Sequence, residues 1–159
     1  MADIGIKRPV EFEQIFLDFK EWHLIDRFTE LVVLSAYVGF YFEREGNGPG
    51  HNAVQWQYFT PEEKNRLFAL VIAHSIKKGA VEPELISPQR RKDMFAIVER
   101  YVHGGLLQMR EQGAFSQLSK IGYGSGLATF IHRTLEEPCA GEELKVQDLL
   151  RDLQQFDNT

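Results

Sequence analysis

The chain has 159 residues, of which 43% are hydrophobic and 26% charged, a composition that suits one globular domain with a sizeable core. Its formal net charge of −5 argues against strong, non-specific binding to nucleic acid, because that binding depends on neutralising phosphates. Cys139 is the single cysteine, so an internal disulfide and a zinc site built from cysteines are both excluded.

The sequence predicts a cytoplasmic protein with no membrane contact. Its N-terminus, MADIGIKRPVEF, lacks the apolar core of a signal peptide. The most apolar run, residues 31–42, is shorter than the roughly 20 residues that a membrane span needs. We therefore expect this run to form a buried core helix.

Helical spacing of apolar residues predicts an all-α fold, a compact single-domain bundle of about six helices with a Gly/Pro-rich loop after the second helix. Residues 1–9 are expected to form a flexible or loosely packed N-terminal arm, and residues 10–159 a single helical domain. Residues 53–59 alternate apolar and polar side chains, but without an obvious partner strand we favour an extended segment laid across helices. The predicted helices cover residues 10–22, 26–43, 60–78, 87–113, 127–136 and 142–156.

The best local signal is the start of the third helix. Thr60 is placed to cap it, Pro61 takes the first helical position, and Glu63 is placed to reach back to the amide of the cap. Gly79 offers an end to this helix.

The fourth predicted helix, residues 87–113, is the longest. Ser87 is its predicted cap and Gly113 its left-handed end. Gly104 and Gly105 in its interior cost about 1 kcal/mol each relative to alanine, so they need a reason such as a close helix crossing or a kink. One apolar face is predicted from Met94, Ile97, Val98, Tyr101, Val102, Gly105 and Met109.

A candidate binding patch lies at the start of this helix. It consists of Arg90, Arg91 and Lys92, joined by Lys77 and Lys78 from the preceding helix, and would attract a phosphate backbone or an acidic partner. A solvated helix start is the simpler explanation. However, cations at a helix N-terminus oppose the helix dipole, which favours a functional reason.

No catalytic group, metal site or cofactor is predicted. His74 and His103 fall on helix faces that could meet and share a metal or a carboxylate such as Glu99, although hydrogen-bonded structural histidines are the simpler explanation. Residues 120–126 are glycine-rich and precede a helix, but they lack the GK[ST] of a phosphate-binding loop and predict a flexible turn. Cys139 has no recognisable partner for nucleophilic chemistry.

Three stretches of the chain occur in a familiar order and spacing: IKRPVEFEQIF, YFTPEEKNRLFALVIAH and MFAIVERYVHGGLLQMRE. Together they resemble a small accessory family encoded with bacterial DNA phosphorothioation (Dnd) systems, often labelled Dnd system-associated protein 4. The resemblance covers residues 6–111. The resemblance implies that the protein works within a system that places sulfur in the DNA backbone and often restricts unmodified DNA. It does not assign a catalytic role to any residue.

The resemblance and the acidic, helical character of the chain lead us to expect a non-catalytic accessory or regulatory protein of such a system. Its expected partners are protein components of the system, with DNA as a second candidate. One alternative is a DNA-binding transcriptional regulator or reader of modified DNA, which would use the helix start at residue 87. Another is a metal-dependent nuclease or hydrolase that uses His74, His103 and nearby acids.

Overall fold

The computed structural model describes residues 5–136, which form five α-helices and one two-stranded antiparallel sheet. The fold is mostly helical, as predicted, but the sheet means that it is not purely all-α, and the described range holds five helices where about six were predicted. The predicted helix at residues 142–156 and Cys139 lie outside the described range. The elements are β1 (Gly5–Pro9), α1 (Glu13–Glu21), α2 (Phe28–Tyr41), β2 (Gly50–Gln55), α3 (Pro61–Lys77), α4 (Arg91–Glu111) and α5 (Lys120–Glu136).

Residues 5–9 form a strand, so the prediction of a flexible arm is wrong for this part of the chain. β1 pairs antiparallel with β2, with Ile6 opposite Val54. Ile6 is fully buried and Val54 nearly so, and the removal of these side chains from water stabilises the pairing.

Residues 53–59 also differ from the prediction of an unpaired extended segment, because part of this range belongs to the paired strand β2. The strand covers Gly50–Gln55, and Trp56–Tyr58 form a short 3₁₀ turn after it. The partner strand lies at the far N-terminal end of the chain, so no local pattern near β2 indicated that a partner existed.

α2 and α4 cross at the centre of the fold. α2 is apolar nearly all round, which predicted a central position, and its Leu31 and Ala36 are fully buried. At the crossing, Gly105 of α4 lies against Ser35 and Gly39 of α2, and a β-carbon on Gly105 would overlap the carbonyl oxygen of Ser35. This confirms a close helix crossing as the reason for Gly105.

α4 begins later than predicted. A 3₁₀ turn at Pro88–Arg90 separates Ser87 from the helix, and the Ser87 side chain makes no capping hydrogen bond. After the helix ends, Gly113 takes the predicted left-handed conformation with φ of 82°. The predicted apolar face is buried at Met94, Ile97, Val98, Tyr101, Val102, Gly105 and Met109.

The capping box at the start of α3 is confirmed. The Glu63 N–H donates to the Thr60 hydroxyl at 3.1 Å, and the Thr60 N–H donates to the Glu63 carboxylate at 2.9 Å. Burial opposes the ionisation of Glu63, but hydrogen bonds from the Thr60 backbone and from Arg27 help to hold its pKa below the ordinary value. Past the end of the helix, Gly79 turns the backbone with φ of 80°.

α5 runs without a break through residues 120–126, so the predicted flexible turn is wrong. Tyr123, within this segment, is fully buried, and its ring centroid lies 5.2 Å from that of Trp22. The Ser119 hydroxyl accepts from the Gly122 N–H at 2.9 Å and satisfies a free amide of the first turn. Aromatic packing and this cap offset the helix cost of the glycines. Within residues 5–136, no helix has both the length and the apolar character needed to cross a membrane.

Candidate functional site

Two of the five predicted basic residues, Lys78 and Arg90, line one cleft where the C-terminal end of α3 meets the first turns of α4. The cleft has a volume of about 300 Å³. Spacings of three and four residues along each helix bring its side chains to one side. The polar side chains in its lining include His74, Lys78, Glu82, Arg90, Asp93 and Arg100.

The charges of this α3–α4 cleft are largely balanced by one another. Arg90 donates to Asp93 at 2.6 Å and lies 3.7 Å from Glu82, so both acids of the cleft engage the same guanidinium. Arg100 lies 3.1 Å from Glu45. Lys78, in contrast, takes part in no ion pair with any residue of the described range. An acidic ligand that entered the cleft could therefore bind Lys78 directly, but it would have to compete with Asp93 for Arg90.

Arg91, another residue of the predicted patch, does not line the cleft. Its guanidinium lies over the ring of Trp56 at 5.0 Å and over that of Phe68 at 5.4 Å. Burial lowers the pKa of Arg91, and the aromatic rings hold the cation away from a ligand. This side chain joins α4 to α3 and to the 3₁₀ turn that follows β2.

The remaining two predicted cations, Lys77 and Lys92, also lie outside the cleft. The Lys77 ammonium lies 2.8 Å from Glu43 and 4.7 Å from the ring centroid of Phe40, so it serves the packing of α3 on α2. Lys92 is exposed on α4 and does not line the cleft. Of the five predicted residues, the cleft is therefore lined by Lys78 and Arg90 alone.

His74 and Tyr101 form a neutral polar pair in the wall of the cleft. The Nδ1 atom of His74 lies 2.6 Å from the Tyr101 hydroxyl. Burial raises the pKa of Tyr101 to about 12 and lowers the pKa of His74, so both groups are uncharged at neutral pH. Of this pair, His74 lines the cleft, and it adds no charge to the lining.

His103 lies in a separate cluster that fastens the loop between α2 and β2 to α4. The Gly48 N–H donates to Nδ1 of His103 at 2.7 Å, so the proton of the neutral ring is on Nε2, which donates to Glu11. Arg110 donates to the same carboxylate at 3.0 Å. These two hydrogen bonds, that from His103 above all, hold the pKa of Glu11 below its ordinary value despite partial desolvation.

His74 and His103 do not meet, so the alternative in which they share a metal or Glu99 finds no support among the described residues. Each histidine has its own partners, and Glu99 accepts from the Lys7 backbone N–H at 2.8 Å. Across residues 5–136, no group of three or more His, Cys, Asp or Glu side chains is placed to hold a metal ion. The structure therefore confirms the simpler explanation of two hydrogen-bonded structural histidines.

The sequence did not indicate a second groove, between α2 and α3. It has a volume of about 500 Å³, and Val33, Leu34 and Tyr37 supply its apolar wall. The Tyr37 hydroxyl donates to the Arg66 carbonyl at 2.6 Å, and the nearby carboxylate of Glu63 is committed to the α3 cap. Polar groups are thus used internally here, and we regard the α3–α4 cleft as the stronger candidate site.

The stretches that carry the family resemblance meet one another in space. Glu11 of the first stretch bonds to His103 of the third, and His74 of the second bonds to Tyr101 of the third. They therefore form one packed unit. Comparison of the chain with protein-family models, with curated proteins and with solved structures gave no match.

Proposed function

We propose that this protein is a non-catalytic accessory component of a bacterial DNA phosphorothioation system, and that it acts by binding an acidic segment of a protein partner in the α3–α4 cleft. The system is inferred from the resemblance of the three stretches. The mode of action is inferred from one observation, that Lys78, which forms no ion pair with any residue in 5–136, lies beside Arg90 and the neutral His74.

The charge balance of the cleft favours a protein partner over a DNA backbone. Its lining carries three cations against Glu82 and Asp93, and both of those acids engage Arg90. Binding to duplex DNA gains most of its strength when many phosphates are neutralised at once. A single available lysine and a shared arginine fit one or two carboxylates better than a row of phosphates.

The first experiment measures binding of Lys78→Glu to each purified protein of the neighbouring system. We expect the variant to lose binding while its unfolding midpoint stays unchanged, because Lys78 is exposed. Lys92→Glu is the matched control, since this lysine is exposed on α4 outside the cleft. Equal loss in both variants would point to a diffuse basic surface and contradict the cleft.

The second experiment addresses DNA binding, the alternative that would draw on the basic residues Lys78, Arg90 and Lys92. Matched duplexes with and without backbone sulfur are titrated at low and at physiological salt. We expect no preference and little binding at either salt concentration. A preference for one duplex, or binding that falls steeply with salt, would instead make the protein a reader or regulator.

The alternative of a metal-dependent nuclease or hydrolase would need His74 and His103 to act together on one metal ion or substrate. His103 is committed to Glu11 and Gly48, and His74 to Tyr101. We expect the purified protein to carry no stoichiometric metal and to leave DNA uncut when Mg²⁺ or Mn²⁺ is added. Metal analysis and a cleavage assay test this, and divalent-dependent cleavage would reject the non-catalytic proposal.

A further inference from the structure

Most of the net negative charge of this chain lies in residues 137–159, which follow α5 and are outside the described range. This acidic extension holds six carboxylates against Lys145 and Arg151, so it carries four of the five net negative charges, and residues 1–136 are close to neutral. The six are Glu137, Glu142, Glu143, Asp148, Asp152 and Asp157. Leucines stand between these acids, at Leu144, Leu149, Leu150 and Leu153.

The lining of the α3–α4 cleft complements such a segment. Lys78, Arg90 and Arg100 supply three cations, and Lys78 forms no ion pair with any residue in 5–136. Leu85 and Ile97 are apolar members of the same lining. A segment that carries both carboxylates and leucines therefore matches the cleft better than a purely polar segment would.

The end of α5 brings the acidic extension to the side of the molecule that holds the cleft. The ring of Phe130 in α5 packs on that of Phe42, with 5.9 Å between the centroids. The carboxylate of the following residue, Glu43, lies 2.8 Å from the ammonium of Lys77, one position before Lys78. A chain of 23 residues spans up to about 75 Å when extended, so the extension is long enough to reach the cleft from there.

We propose that the acidic extension occupies the α3–α4 cleft of its own chain, with a carboxylate on Lys78, and that a protein partner has to displace it. This inference deepens the proposed function, on which it rests for the role of the cleft. Charge complementarity favours this occupant. The covalent link favours it as well, because a tethered segment has an effective concentration in about the millimolar range, which a separate molecule seldom reaches.

The first test needs no partner and measures paramagnetic relaxation enhancement in the full-length, isotope-labelled chain. A nitroxide is placed in the extension on Gln147→Cys, in a Cys139→Ser background that removes the native thiol. We expect the nitroxide to broaden the amide signals of Ser75 and Ala96, which line the cleft. Lys78→Glu should lower this enhancement by about twofold or more, and high salt should act in the same direction, because both weaken the attraction.

Lys92→Glu is the matched control, since it makes the same charge change on an exposed lysine outside the cleft and should keep the enhancement. Circular dichroism checks that both variants are folded. No enhancement at the cleft, or equal loss in the two variants, would overturn the proposal. A mixture of nitroxide-bearing chains with separate isotope-labelled chains should show no enhancement, and broadening in this mixture would assign the cleft to the extension of a second copy instead.

The second test separates this inference from the proposed function. A full-length chain with three acids of the extension neutralised should bind the protein partner about threefold or more tightly than the unaltered chain, because less competes for the cleft. The three changes are Glu142→Gln, Glu143→Gln and Asp148→Asn.

The control chain loses the same number of charges at exposed positions outside the cleft and should bind like the unaltered chain. Its changes are Glu21→Gln, Asp26→Asn and Glu62→Gln. If the nitroxide broadens the cleft amides but no protein of the system binds, the proposed function fails while the assignment of the extension to the cleft stands. If the partner binds the neutralised and the unaltered chains equally, the extension does not compete with it and the inference is overturned.

Discussion

Thr60 and Ser87 stand at similar points in the sequence, each a hydroxyl residue directly before a proline and a helical pattern. Only Thr60 caps its helix, because Thr60 and Glu63 exchange hydrogen bonds within one turn. A 3₁₀ turn separates Ser87 from the first residue of α4. A cap can be predicted when all its partners lie within four residues. The prediction fails when the chain makes an extra turn before the helix begins.

This difference can be measured. Thr60→Ala should lower the free energy of unfolding by about 1 kcal/mol, because the Glu63 N–H loses its acceptor. Ser87→Ala should change it by about 0.5 kcal/mol or less, because the Ser87 side chain makes no capping bond. Urea unfolding of both variants gives the comparison, and an equal loss in the two would contradict this assignment of caps.

Glu11 makes stability depend on acidity. Because hydrogen bonds from His103 and Arg110 lower its pKa below 4.5 in the folded chain, its ionised form favours folding above pH 4.5. This contribution is lost as pH falls through the lowered pKa. Glu11→Gln should therefore be less stable at neutral pH and show a flatter loss of stability in acid.

Urea unfolding at a series of pH values measures this effect. Glu21→Gln, at the exposed end of α1, is the control and should follow the unaltered chain. If Glu11→Gln shows the same acid dependence as the control, the carboxylate contributes nothing through its folded-state contacts.

The consecutive residues Arg90, Arg91 and Lys92 show why the site was only partly predictable. Neighbours on a helix point about 100° apart, so three adjacent cations cannot all face one ligand. Arg90 turns to the cleft, Arg91 to Trp56 and Lys92 to solvent. The other lining residues come from spacings of three and four and from the linker that carries Glu82, and linear charge runs do not display that pattern.

At the scale of elements, the glycines of α4 and those of α5 have different structural roles. Gly105 is the point at which α2 and α4 approach, and it is the close crossing, of the two reasons the sequence left open (a crossing or a kink), that the structure shows. The glycines of α5 predicted a break, yet the buried ring of Tyr123 keeps the segment helical. Local propensity was overridden by packing that involves Trp22, a residue about a hundred positions earlier.

A pair of alanine substitutions separates the two roles. Gly105→Ala should cost about 1–3 kcal/mol or more, because its β-carbon would overlap the Ser35 carbonyl and force the helices apart. Gly124→Ala should be neutral or gain roughly 0.5–1 kcal/mol, since its nearest neighbour, the Leu24 side chain, would lie at an ordinary contact distance of 3.6 Å. Thermal and urea unfolding report both, and a well-tolerated Gly105→Ala would contradict the close crossing.

For the whole molecule, β1 is a structural part and not an appendage. Helices α2, α3 and α4 could be predicted because their periodicity is local, while β1 and β2 could not be paired because each is short and its partner is remote. The cluster of Glu11, Gly48 and His103 was hidden for the same reason. The sequence shows a glycine-rich loop and a His-Gly-Gly run, but it does not show that the two come into contact.

Ile6→Ala tests the standing of β1. We expect a loss of about 2–5 kcal/mol, because the side chain is fully buried and its removal leaves a cavity. Val10→Ala, at a position 44% exposed, should cost about 0.5 kcal/mol or less. A flexible arm would give no loss in either variant, and urea unfolding distinguishes the two cases.

The long reach of these N-terminal contacts has a consequence for how the protein is made. Lys7 and Glu99 are 92 positions apart, and Glu11 and Arg110 are 99 apart. At usual rates of translation, roughly 5–20 seconds pass between synthesis of the first strand and synthesis of the helix that holds it. During that interval Ile6 has no completed surface to bury against, so β1 is among the last of the described elements to reach its final packing.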